Sequence, residues 1–163
     1  MIDILQINPG IWLILSGIIC TLVPNGPLTQ LTRKCLVIGA PVFTAFMITQ
    51  IFTSDIVVAG LITIADIELT TLRIDSLSMV WGYLFCLIGV LNGIFGLHEK
   101  CRITDSSALI YSGAAIAGVL SGDLLTLFLF WELTAISSVF LVWRGGEHAY
   151  AAGVRYLALH VLS

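Results

Sequence analysis

Polar and charged positions are so sparse along this chain that they mark its elements by interruption. Charge-free windows run from Ile4 to Thr32, Cys35 to Ser54, Ser76 to Leu97 and Ser106 to Gly122, and a fifth, Leu124 to Trp143, is apolar except for Glu132. A helix that crosses the hydrocarbon core needs roughly 20 mostly apolar residues, so each window predicts a transmembrane span. Pro9 and the cluster Pro24-Asn25-Gly26-Pro27 punctuate the first window, which places its helix at about Gly10 to Val23. A sixth apolar stretch opens near Tyr150 and holds about 14 residues up to Ser163, the start of a further span. Between spans 2 and 3 the period changes. Ile64-Ala65-Asp66-Ile67-Glu68-Leu69-Thr70 alternates apolar with polar, which predicts a short external β-hairpin over about residues 55–74. A shallow re-entrant segment over Ile56 to Ile62 is the second reading of its first half.

Composition agrees with the pattern: 58% of the 163 residues are hydrophobic and 10% are charged, whereas a soluble domain carries about 25% charged residues. The fold class expected is an all-α polytopic membrane protein with about five complete transmembrane helices, the beginning of a sixth, and the hairpin. Seven Lys and Arg against ten Asp and Glu, with no basic block, exclude a nucleic-acid partner. Asp3 and the absence of Lys or Arg ahead of the first span argue against a cleaved signal peptide. Arg33, Lys34, Lys100, Arg102 and Arg144 follow spans 1, 3 and 5, while Arg73 stands between spans 2 and 3. By the positive-inside rule this bias puts the N-terminus outside and the odd-numbered loops in the cytoplasm, in a bacterial inner membrane.

Several residues have structural readings. Asp75, Asp105 and Asp123 each stand immediately before a span, where a carboxylate accepts bonds from the orphan N–H groups of a first helical turn; all three are expected to be N-caps. Gly113, Ala117 and Ser121 repeat at four-residue spacing, and Gly89 and Gly93 do the same, stripes that let helices approach closely in lipid. Asn92 beside them offers an interhelical hydrogen bond. Cys20, Cys35, Cys86 and Cys101 form no C-x-x-C pair, so no metal site, cluster or other cofactor is expected.

Glu132 resists such a reading. Eight residues of its span precede it and eleven follow, which sets it on the order of 12 Å below one end, near midplane. An ionisable group there costs roughly 2.5–3.5 kcal/mol on insertion scales, so it faces the protein interior, meets a cationic partner or stays protonated. Span 6 offers Arg155, a fixed charge, and His160, which can relay a proton because histidine titrates near neutral pH. Five residues turn a helix by about 140°, so these two do not share a face. Snorkelling to the interface is the alternative reading of Arg155.

The run Gly122-Asp123-Leu124-Leu125-Thr126-Leu127-Phe128-Leu129-Phe130-Trp131-Glu132-Leu133-Thr134-Ala135-Ile136-Ser137-Ser138 resembles the fifth-helix signature of the proton-conducting antiporter-like subunits. These occur in Mrp-type cation/proton antiporters, as their A and D types, and in the membrane arm of respiratory complex I. Leu72-Arg73-Ile74-Asp75-Ser76-Leu77-Ser78 resembles the entry to that family's third helix, and Ala151-Ala152-Gly153-Val154-Arg155-Tyr156-Leu157 the start of its sixth, where most members carry Lys. The resemblance covers Leu72 to the chain end, the N-terminal portion of such a protein. It implies three leading helices with the hairpin in residues 1–104, and in residues 105–163 the opening of the first of two inverted repeats. It also implies that Glu132 is the proton-accepting carboxylate, with Arg155 and His160 on the proton pathway. Protons, Na+ or K+ as the exchanged cation, lipid and other membrane subunits are the implied partners. Membership of a quinone-reducing complex is the alternative assignment, and the only one with an enzyme context. A structural scaffold with Glu132 as helix glue is the second.

Overall fold

The computed structural model describes residues 4–24, 26–54, 58–64 and 67–162. Within them run α1 (Gly10–Leu22), α2 (Pro27–Thr53), strands β1 (Val58–Ile64) and β2 (Ile67–Arg73), then α3 (Ser76–Phe95), α4 (Arg102–Val119), α5 (Leu124–Trp143) and α6 (Glu147–Leu162). The fold is mostly helical with one antiparallel hairpin, as the hydrophobic pattern predicts.

Among the described residues, three helices are long and apolar enough to cross a membrane: Leu28–Thr53, Ser76–His98 and Leu124–Trp143. The expectation of five complete spans is therefore corrected. Helix α1 has 13 residues and rises only about 20 Å against a core of about 30 Å. Helix α4 has 18 residues but opens with Arg102 and buries Asp105, Ser106 and Ser107 in its first turns, which dilutes its apolar character.

Helix α4 is instead the central post, packed by α1, α3 and α5. Its small residues explain how closely α1 approaches. A Cβ added at Gly10 would run into the Gly113 carbonyl oxygen and the Ala117 backbone, and one at Gly113 into Gly10 and Ile14 backbone atoms. Ser106 Oγ fastens the same pair by donating to the Gly17 carbonyl at 2.6 Å. Gly89 and Gly93 of α3 admit Pro41, Val37 and Ile38 of α2 in the same way.

The hairpin pairs Ala59 with Leu72, Leu61 with Thr70 and Ile64 with Ile67. Ala65 and Asp66 of the alternating run, and Ile56, lie outside the described residues. Gly60 adopts φ +65°, a left-handed conformation that favours glycine, and a Cβ there would meet Thr71 Oγ1. Strand β2 docks on the α4–α5 corner: Arg73 N–H donates to the Leu120 carbonyl at 2.7 Å, and Gly122 N–H to the Thr70 carbonyl at 2.9 Å. Buried Asn8 joins them, its amide donating to the carbonyls of Thr71 at 2.7 Å and Ala117 at 3.0 Å.

Two aspartates cap helices. Asp75 Oδ1 accepts from the N–H groups of Leu77 and Ser78, and Ser78 Oγ accepts from Asp75 N–H at 2.8 Å, a reciprocal capping box. The Ser78 N–H holds the Asp75 carboxyl below the usual range, against a weaker upward push from burial. A depressed folded value means that the cap contributes fully above the unfolded pKa of about 3.9 and is lost as pH falls through the folded value. Amide exchange in the first turn of α3, corrected for intrinsic rates, is expected to lose protection below about pH 4. In Asp75→Asn, whose amide caps without titrating, that pH dependence should disappear.

Arg33, Lys34, Lys100 and Arg144 gather at the opposite end from the hairpin, while Arg73 ends β2. Arg33 Nη2 donates to the Lys100 carbonyl at 3.1 Å, and Arg144 Nη2 lies 3.7 Å from Glu99 Oε1. Arg33 and Lys34 are not in a loop, as the charge-free windows suggested. They lie inside α2, which starts at Pro27, a residue whose fixed φ and missing N–H suit the first helical position.

Candidate functional site: a carboxylate and an imidazole between two helices

Helix α5 begins at Asp123, whose carboxylate accepts from Thr126 N–H and Thr126 Oγ1, each at 2.7 Å, and from the Thr70 N–H of β2 at 2.6 Å. Burial pushes this carboxyl up, but the bonds from Thr126 and Thr70 outweigh it and hold it below its ordinary range. The cap fixes the start of α5 and hence the height of Glu132, in its third turn.

At the other end Gly145 and Gly146 turn the chain back, Gly146 at φ +100°. Trp143 Nε1 donates to the Tyr150 carbonyl at 3.2 Å, and Gly153 leaves room for the same indole. Helix α6 thus returns along α5. Eleven residues back from Trp143 and thirteen on from Glu147 are rises of about 16 and 20 Å, so Glu132 and His160 arrive at similar heights. His160 Nε2 lies 3.4 Å from Glu132 Oε1, with side chains 15% and 27% exposed.

The imidazole is held on its faces. Trp131 stacks on it with ring centroids 6.3 Å apart and planes at 15°, and Tyr156 stacks at 6.3 Å and 28°. Tyr156 is tied in turn to α5, its hydroxyl accepting from Ser138 Oγ at 3.0 Å. Glu132 and His160 line an open groove of about 600 Å³ with Leu124, Phe128 and Val161. His160 also borders a second cavity of about 380 Å³, reached by Tyr111, Thr134 and Tyr156. His160, Trp131 and Leu127 border both spaces, and Glu132 lines the first of them.

Arg155 is not brought to this pair. It is exposed on α6, and among the described residues it forms no ion pair with Glu132. Phe128 and Ile136, one turn either side of Glu132, are exposed, whereas Ala135 and Val139 are buried. Glu132 thus sits at the boundary of the packed face.

Asp105 is corrected. The N-cap of α4 is Cys101, and Asp105 lies in the first turn of the helix, 4% exposed. Its Oδ1 accepts from Lys34 Nζ at 2.7 Å, and its Oδ2 lies 3.8 Å from Arg33 Nε. Lys34 Nζ also donates to the Gly96 carbonyl at 2.9 Å. Sequence reasoning missed this cluster because its partners stand 71 positions apart. Among the described residues no three His, Cys, Asp or Glu side chains converge as a metal site.

These features define a helical membrane protein with a carboxylate–imidazole pair held between adjacent helices. Its curated relatives carry antiporter names. The chain is 35% identical over 86 residues to a probable K(+)/H(+) antiporter A/B subunit of Rhizobium meliloti, a match covering 48% of this chain and 9% of that protein. It is 35% identical over 78 residues to a Na(+)/H(+) antiporter protein of the A type from Alkalihalophilus pseudofirmus, covering 44% and 10%. A putative antiporter subunit of Staphylococcus epidermidis is 31% identical over 96 residues, covering 53% and 12%. No family model matches the chain. The matched stretch is thus about a tenth of the length of these relatives. Over about half of this chain, the likeness to K(+)/H(+) and Na(+)/H(+) antiporter subunits agrees with the antiporter-like resemblance of its helices.

Proposed function

We propose that this chain is a proton-handling membrane portion of a multisubunit Mrp-type monovalent cation/proton antiporter, with other membrane subunits as its partners. The observation that carries this reading is the Glu132–His160 pair, formed on a helix long enough to cross a membrane and open to a groove. Ionisable groups at such depth are costly and mark ion or proton routes. Glu132 holds the proton; His160 takes it across the wall between the two cavities. Arg155 acts on the path only as a fixed charge at a distance. The positively charged end faces the cytoplasm, and the hairpin and N-terminus face outward. Membership of respiratory complex I draws no support from relatives that are named antiporters.

His160→Gln tests the pair. Glutamine keeps a donor for Glu132 but does not titrate. In proteoliposomes holding the complete antiporter, exchange is expected to fall and its pH profile to change shape. An unchanged rate and profile would remove His160 from the path.

A further inference from the structure

A smaller cavity lies at the other buried charge cluster, between α2, α3 and α4. It has a volume of about 60 Å³, and its polar lining is Asn92, Glu99, Thr104, Asp105 and Ser112. Among the described residues, one oxygen of its lining, Asp105 Oδ2, is buried without a hydrogen bond. Arg33 Nε stands 3.8 Å from Asp105 Oδ2, beyond hydrogen-bond reach. Buried polar atoms in native folds are satisfied by protein or by ordered water, and an orphaned carboxylate oxygen is among the costliest to leave bare.

We propose that this cavity is a water site that carries hydration from the positively charged end into the helix bundle. Its volume admits about two waters at roughly 30 Å³ each, and its polar lining supplies the two to four partners that each needs. Charge decides against a metal ion. Lys34 and Arg33 already face Asp105, and Arg144 faces Glu99, the other carboxylate of the lining, so both carboxylates have cationic partners without a metal ion, while neutral dipoles bridge Asp105 Oδ2 to the polar side chains of the lining. The track has depth as well. Glu99 and Thr104 stand at the charged end, and Ser112 lies seven residues beyond Asp105 on α4, about 10 Å deeper. This inference is independent of the Glu132–His160 reading, because it rests on other helices and other atoms.

Water-edited solid-state NMR of the full chain in lipid bilayers tests it. Magnetisation from water is expected to reach the Asp105 carboxyl carbon and Ser112 Cβ several times faster than Leu109, a buried apolar residue on the same cavity wall. Ser112→Val should slow transfer to Asp105, and the gentler Ser112→Ala should slow it less while leaving Lys34 and Asp105 shifts in place. Transfer to Asp105 and Ser112 as slow as to Leu109 would overturn the proposal. So would saturable shifts of these two residues on adding Na+ or K+ at constant ionic strength, the signature of a cation site.

Discussion

Glu132→Gln in the complete antiporter is expected to lower cation-driven proton exchange on the order of 100-fold, the scale on which a positioned acid–base group contributes. Glutamine has nearly the volume of glutamate and keeps a side-chain oxygen where Glu132 Oε1 now stands, 3.4 Å from His160 Nε2. It removes only the charge and the exchangeable proton. Glu132→Asp keeps both but draws the carboxylate back by one methylene, and should retain part of the rate. Exchange is read by pH-gradient dissipation in proteoliposomes, and the melting temperature in detergent should barely change with either variant. If Glu132 were only helix glue, the Gln variant would exchange at the unsubstituted rate.

The second large effect is on stability. Removing one partner of a buried ion pair strands the other and costs about 3–5 kcal/mol. Asp105 serves both Lys34 and Arg33, all three side chains being at most 8% exposed. Asp105→Ala therefore leaves two buried cations, whereas Lys34→Met leaves Asp105 still facing Arg33. The aspartate variant should be the less stable of the two. In Lys34→Met with Asp105→Leu the loss should be smaller than the sum, since apolar isosteres remove the desolvation cost along with the attraction. A double-mutant cycle of unfolding in detergent measures the coupling. Additive losses would show that the 2.7 Å contact contributes no coupling.

Much of the fold is legible in the residues because lipid-facing helices state their limits in hydropathy. The span Leu124 to Trp143 coincides with α5, and the helix read from Gly10 to Val23 differs from α1 by one residue. Period-2 alternation marked the hairpin, and Asp75 and Asp123 stand where their side-chain oxygens cap. Charge misled where it was compensated. Arg33 and Lys34 read as a loop because isolated cations end spans, but a carboxylate 71 positions away lets them continue a helix. The Glu132–His160 encounter was within reach of arithmetic: two helices joined by Gly145-Gly146 run antiparallel, and counting outward from the turn brings residues 132 and 160 level. Arg155, the stronger charge on the same helix, obscured it.

The two ends of α5 are fastened differently. Its start shares one carboxylate with β2, and β2 also grips the last turn of α4, so tilting α5 there would break bonds from Asp123 to Thr70 and from Gly122 to the same residue. Its finish is held to the rest of the bundle by an ion pair between Arg144 and Glu99, 49% and 33% exposed, a class of contact that adds little rigidity and weakens with salt. A rigid tilt of α5 would therefore pivot at its hairpin end. Such a tilt would displace Glu132 by less than half the travel of Trp143, since eight residues separate Glu132 from the pivot and eleven from the tip. Small displacements at Glu132 would then accompany larger ones at the charged end of the helix.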